Sequence, residues 1–228
     1  MKGILYDGPS ALDGARIVAI ATDRTKNAKT GDMVQVWILR ADANPVRAAR
    51  LGRDASVCGA CPLRPRTSGA CYVRLQNAPL SVWRSWRRGN YAKIEPSALA
   101  GQNIRLGAYG DPAALPVELV RELRSVGRTV TGYTHSWKTS PDLRGLVMAS
   151  CDTPKAAEHA IAAGWGVFRA GARDSSDRGS ATLCAAENGA TCASCGACDG
   201  RPSHVYIPSH GPMAKHHPAE KRRLAMVA

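Results

Sequence analysis

The chain has 228 residues, 44% of them apolar, with one Phe, six Tyr and five Trp. A chain of this size buries a sizeable core of Ala, Val, Leu and Ile without covalent help, so its eight cysteines are not needed as disulfide staples. Thirty-one Lys and Arg oppose eighteen Asp and Glu, and the net charge of +13 excludes an acidic surface. It favours a polyanionic partner, nucleic acid or a nucleotide substrate, because each phosphate contact releases counterions. A generic basic surface produced by an Arg-rich composition is the alternative.

No apolar run approaches the roughly 18 residues that span a bilayer. The start, MKGILYDGPSALDG, lacks the charged-then-apolar order of a secretory signal. The expectation is a soluble, cytoplasmic protein with no membrane partner. In that reducing compartment, clustered cysteines serve as metal ligands or redox groups.

In chain order, ARIVAIAT and MVQVWILR read as two strands joined by the polar loop DRTKNAKTGD, which carries Arg24, Lys26 and Lys29. Residues 41 to 53 are Ala/Arg-rich and predict a helix after Pro45. The first cysteine group follows, then PLSVWRSWRRGNYAK. There Trp83, Trp86 and Tyr91 interleave with Arg84, Arg87 and Arg88. Aromatic faces stack bases while guanidinium groups pair with phosphates, the chemistry of single-strand or flipped-base contact; an amphipathic helix with tryptophans in the core fits the same pattern.

From Asn103 the pattern alternates: IRLGAYG a strand, PVELVRELRSVG a helix stopped by Gly127, TVTGYTHSW and GLVMAS strands. TPKAAEHAIAAG is a helix capped by Thr153 with Pro154 in first position, and WGVFRAGA and HVYIPSHG are strands. This predicts an α/β fold, a partial (β/α) barrel or parallel sheet, with two cysteine-rich metal-binding insertions. The expected organisation is a single compact domain over 1–228, with an N-terminal cysteine and Trp/Arg insertion at 54–92. A βα core at 103–211 would carry the second cysteine group. The tail from Met213 reads as a solvated, frayed terminus or a basic nucleic-acid contact.

The C-terminal group is Cys184, Cys192, Cys195 and Cys198 in LCAAENGATCASCGACDG. Two successive two-residue gaps gather three thiolates on one tight turn, and Cys184 closes the set, a complete four-thiolate site. A C-x2-C-x2-C run favours a [4Fe–4S] cluster, whereas structural zinc more often shows two separated C-x2-C knuckles. His204 and His210 follow, and either could replace one cysteine. The N-terminal group, VCGACPLRPRTSGACYV, supplies Cys58, Cys61 and Cys71, one thiolate short of a closed site. Either Cys151 completes it, or one metal position stays open to bind a small molecule; a zinc knuckle that fixes the loop is the third possibility.

In parallel α/β folds, catalytic groups gather where strands end. The strand ends here offer Tyr109, Asp111, His135, Trp137, Cys151, Arg169 and His210. Asp111 suits a helix cap as well as a cavity carboxylate, and His135 suits a general base, a ligand or a buried core histidine. The strand-turn-helix GAYGDPAALP resembles the glycine-rich turn by which radical SAM enzymes contact S-adenosylmethionine. The resemblance, over residues 58 to 211 in order of features, implies an upstream cluster that binds the cofactor and a C-terminal auxiliary cluster. By that resemblance Tyr109, Gly110 and Asp111 are cofactor-binding. The chain has C-x2-C-x9-C where that family has C-x3-C-x2-C, and Asp111 where it has glutamate. CGACP, THSW and the closing HG are also similar to uncharacterised proteins carried by bacteriophages and related mobile elements.

The leading expectation is therefore an enzyme with one or two iron–sulfur clusters acting on a nucleotide or a nucleic-acid base. Cys58, Cys61 and Cys71 would be the reactive site, with Asp111, His135 and Cys151 in catalytic roles and Trp83, Arg84, Trp86, Arg87 and Arg88 on nucleic acid. Two alternatives stay open: a zinc-stabilised nucleic-acid-binding protein without catalysis, and a zinc-containing base transglycosylase with Asp111 as nucleophile.

Overall fold

The computed structural model describes residues 2–23, 27–210 and 213–227. Among these, the chain forms β1 (Gly3–Pro9), β2 (Arg16–Thr22) and β3 (Val34–Arg40), then α1 (Pro45–Leu51), α2 (Ala55–Cys58) and α3 (Ala78–Arg87). There follow β4 (Asn103–Tyr109), α4 (Val117–Val126), β5 (Thr129–Thr131), β6 (Tyr133–Thr134), β7 (Met148–Cys151), α5 (Pro154–Ala162) and β8 (Val167–Gly171). The rest is β9 (Thr182–Leu183), α6 (Cys192–Cys195), β10 (His204–Pro208) and α7 (Pro218–Val227). The protein is α/β, with two mostly parallel five-stranded sheets ordered β1-β2-β3-β4-β5 and β6-β7-β8-β10-β9.

In the first sheet β1, β2 and β3 pair antiparallel, and β4 and β5 add on in parallel. Every pairing in the second sheet is parallel. The predicted single strand TVTGYTHSW is thus divided at Gly132, one half ending the first sheet and the other beginning the second. Its lack of a side chain lets the backbone pass close to Val147 and Leu106. No helix among the described residues is long and apolar enough to cross a membrane.

The helices begin and end where local chemistry dictates. Asn44 caps α1 by accepting from the Arg47 amide, and Thr153 caps α5 by accepting from the Ala156 amide, each followed by proline. Buried residues recur at helical spacing, Val120 and Leu123 on α4 and Ala157 and Ala160 on α5. Burying the α4 pair contributes roughly 3–6 kcal/mol. One continuous buried cluster runs from Ile17 and Ile38 in the first sheet to Ala149 and Val167 in the second.

One element lies where the sequence carried no expectation, and the tail departs from its own. GILYDGP is strand β1, although its glycines, Asp7 and Pro9 are turn formers; pairing along β2 overrides local preference. The tail is a helix, α7, with Ala219 and Glu220 buried, and Arg222 donates to the Asp152 carbonyl at 2.7 Å. Of the basic side chains in the β2–β3 loop, Arg24 and Lys26 lie outside the described residues, as does Gly211 of the closing HG.

Candidate functional site

The first cysteine group follows β3. Buried Asp54 precedes α2, and the Cys58 amide donates to its carbonyl at 2.9 Å. The loop beyond is braced by one side chain: Arg64 donates to Asp54 Oδ1 at 2.7 Å and to the carbonyls of Gly52 and Gly59 at 3.0 Å each. The amide of Cys61 donates to the Cys58 carbonyl at 3.2 Å, and that of Cys71 to the Leu63 carbonyl at 2.8 Å. Burial pushes the Cys58 thiol well above its ordinary range, and the neighbouring Cys61 and Cys71 push it further. Burial, against a lowering hydrogen bond from the Val73 backbone, carries Cys71 up to about 11, with Cys61 and Asp54 adding to it.

The turn after β4 packs onto this loop. The Asp111 amide donates to the Val57 carbonyl at 2.6 Å. Gly110, at φ +90, is required here, because a Cβ would lie 2.6 Å from Ile38 Cβ. Tyr109 brings its hydroxyl to Cys58. Asp111 caps a short 3-10 turn by accepting from the Ala113 amide at 2.9 Å, while its other oxygen accepts from the His135 amide at 2.8 Å. Burial raises this carboxyl despite those bonds.

The ring of His135 reaches in two directions, its Nε2 lying 3.9 Å from Cys61 Sγ and 3.4 Å from Asp152 Oδ1. Burial opposes the charged imidazolium. The Asp152 and Cys61 contacts outweigh it, so its pKa stands well above the usual histidine value.

The second cysteine group is built on a capped turn. Thr191 accepts from the Ser194 amide at 3.2 Å and Ser194 Oγ accepts from the Thr191 amide at 3.1 Å, a reciprocal cap that starts α6. One helical turn sets Cys192 and Cys195 on one face, and left-handed Gly196 (φ 64) reverses the chain toward Cys198. The β2–β3 loop clamps this turn: the Cys192 and Ala193 amides donate to the carbonyls of Lys29 and Thr30 at 2.9 and 3.1 Å, and Lys29 pairs with Glu187 at 2.7 Å.

Cys184, Cys192, Cys195 and Cys198 line one cavity of about 90 Å³ together with Thr131, Tyr133, Thr182 and Val205. No carboxylate lines it. Burial pushes Cys198 up to about 12, although the Tyr133 hydroxyl donates to it. Among the described residues, no three His, Cys, Asp or Glu side chains converge closely enough to hold a single metal ion.

Both groups open onto one larger cavity of about 470 Å³. Cys58, Cys61 and Cys71 line it together with Cys184 and Cys192, and Tyr109, Gly110, Asp111, His135, Asp152 and His210 stand in its wall. Several of these follow the carboxyl end of a parallel strand: Asp111 after β4, His135 after β6, Asp152 after β7 and His210 after β10.

Other strand-end residues are not in that wall. Cys151 is buried in the apolar core with Ala157 and Ala160, while its neighbours Ser150 and Asp152 face the cavity. Trp137 is also core. Arg169 is buried under Tyr206 and pairs with Asp177 at 2.8 Å. The segment with Trp83, Arg84, Trp86, Arg87 and Arg88 forms α3 and its cap, which packs on α1 and β3. Trp83 donates to the Arg40 carbonyl at 2.9 Å, and the Arg87 guanidinium stands 5.7 Å from both indole rings.

Sequence reasoning missed Asp152, Ser150, Arg105, Tyr133 and Phe168 as cavity residues. Period-two alternation would have found the first two, since placing Cys151 in the core puts both neighbours on the other face. No family model matches the chain, and no curated protein or solved structure does either.

Proposed function

We propose that the chain is an iron–sulfur enzyme acting on a nucleotide or a nucleic-acid base, with Cys58, Cys61 and Cys71 holding the reactive cluster and the C-terminal quartet an auxiliary one. The observation that carries this reading is that all three thiols of the first group and two of the second, Cys184 and Cys192, line one cavity of small-molecule size at the carboxyl ends of parallel strands. Taken as a partial (β/α) barrel, β3 to β10 set these loops at the end where such folds do chemistry. The donor chemistry suits the group, although among the described residues no three ligands converge on one point. The quartet's cavity brings four soft thiols together with hydroxyls of Thr and Tyr, and a cationic metal group deprotonates thiols that burial keeps neutral.

Cys58, Cys61 and Cys71 would hold one cluster and the quartet the other, and such clusters would supply one-electron chemistry, with the three-thiol site leaving room for a cofactor such as S-adenosylmethionine. The protein's own residues do the rest. Gly110 brings the backbone of the Tyr109–Asp111 turn close to the cysteine loop, and Asp111 fixes the height of His135 in the wall. His135, bridged between Cys61 and Asp152, holds a proton at Nε2 facing the cavity. Tyr133 and Phe168, with ring centroids 4.4 Å apart, give a face for a planar base.

The test is anaerobic purification with iron, sulfide and zinc analysis of the full chain and of C58A and C184A. Brown protein with broad visible absorption, reduced in part by each variant, supports two clusters. Colourless protein with stoichiometric zinc overturns the reading in favour of a zinc-stabilised protein.

A further inference from the structure

Arg105 projects from the middle of β4 into the larger cavity, and among the described residues it forms no ion pair with any carboxylate. Its one hydrogen-bond partner among the described residues is a neutral hydroxyl: Nη2 donates to Tyr72 Oη at 2.5 Å. The ionisable groups that act on it, Tyr72, Tyr133 and Cys192, bear charge only when ionised, and the two carboxylates of the cavity wall are engaged elsewhere. Asp111 is spent on two backbone amides, and Asp152 faces His135. A half-buried guanidinium with no carboxylate beside it favours an anion, partly met by Cys192 when that thiol is ionised, and its planar fork matches an oxyanion ligand by two parallel bonds.

The same cavity holds two pairs of rings. Tyr133 and Phe168 lie 4.4 Å apart between centroids, and Tyr72 and His210 lie 6.1 Å apart. A wall with one unpaired guanidinium and two aromatic pairs selects a ligand with an oxyanion at one end and a flat ring at the other. At about 470 Å³ the cavity is of the size that encloses one small molecule and is too small for a length of strand.

We infer that the cavity takes a nucleoside monophosphate, its phosphate held by Arg105 and the Tyr72 hydroxyl and its base laid against the aromatic pairs. The inference deepens the enzyme reading, on which its catalytic meaning rests. The phosphate contact itself needs only Arg105, Tyr72 and the cavity.

The experiment is anaerobic calorimetric titration of the full chain, as purified, with each of the four common nucleoside 5′-monophosphates, the matching nucleosides, inorganic phosphate, a short oligonucleotide and S-adenosylmethionine. At least one monophosphate should bind more tightly than its nucleoside and than the oligonucleotide. R105Q should weaken it roughly 10- to 100-fold, with R105K intermediate because lysine keeps the charge and loses the fork. Y72F, at a half-exposed residue that the fold tolerates losing, should weaken it a few-fold.

Wild-type protein that binds no monophosphate, or binds nucleoside and monophosphate equally, overturns the inference. So does an R105Q effect confined to S-adenosylmethionine, or an oligonucleotide that outcompetes every monophosphate. Metal content, measured on the same samples, reports on the cluster reading alone: metal-free protein whose monophosphate binding depends on Arg105 would sink the clusters and leave the phosphate site standing.

Discussion

Asp111 holds His135 by its backbone, accepting the histidine amide at 2.8 Å, so the carboxylate that closes β4 also sets the loop that closes β6. Because its second oxygen caps the turn at Ala113, one buried side chain satisfies two amides from distant parts of the chain. D111A leaves both donors unpaired, and the expected cost is roughly 2–4 kcal/mol. D111N keeps one acceptor and should lose about half of that. Urea unfolding of the three proteins checks the order, which a cost below about 0.5 kcal/mol for D111A would contradict.

Gly110 sets up a second comparison. G110A places a methyl against Ile38 at positive φ, and the expected loss is roughly 2–4 kcal/mol. G14A has a similar φ of +76 and no atom within 4 Å, so only the backbone penalty of about 1 kcal/mol remains. Equal melting temperatures for the two variants would show that the close approach to Ile38 carries no energy.

Arg64 and Asp54 form an ion pair with the carboxylate almost wholly buried, beneath the loop that carries Cys58 and Cys61. R64M strands the Asp54 charge, and the expected destabilisation is roughly 3–5 kcal/mol, with loss of metal from the first group before the second. D54N with R64M removes the stranded charge and should recover part of the loss. Thermal melts read the first effect and metal analysis the second.

The fourth comparison separates Cys151 from Cys58. Cys151 faces the apolar core, so C151A should keep the metal content of the wild type while C58A lowers it. Metal analysis of C151A that matches C58A would make Cys151 a ligand.

His217 gives the pH dependence. It is buried, burial lowers its pKa below the ordinary 6.5, and its Nδ1 accepts the Ala219 amide at 3.2 Å. Below 6.5 the unfolded chain binds the proton that the folded chain refuses. The histidine's contribution is therefore full above pH 6.5 and falls away as the pH drops toward its folded value. H217N keeps a capping acceptor without the titration, so the variant should lose less stability than the wild type between about pH 6.5 and 5. Identical slopes in parallel denaturation series would assign the low-pH loss to other groups.

The sequence made the cysteine groups and the Asp111 cap legible because both are local: thiols two residues apart, and a carboxylate one residue before proline. β4, α4, β7, α5, β8 and β10 were legible for the same reason, from periodicity and caps, whereas the break at Gly132, the short β9 and helix α7 were not. Arg105 and Asp152 were not, since a charged residue on a strand becomes part of a site only when register decides which face it takes. Cys151 shows how sharp that dependence is, for one residue separates the core from the cavity. The Trp/Arg segment fitted two readings from local pattern alone; in the fold Trp83 is tied to Arg40, and Arg87 lies over both indoles.

The clamp between the β2–β3 loop and the second cysteine turn joins residues as much as 163 positions apart, as in Cys192 to Lys29. On the ribosome, Lys29 and Thr30 emerge long before Cys192, and their carbonyls stay without those amide partners until the second cysteine turn has been made. All three thiols of the first group, by contrast, are out once residue 71 is made. The two groups therefore mature at well-separated stages of synthesis, and the shared cavity waits for β10, which brings Ile207 to its wall.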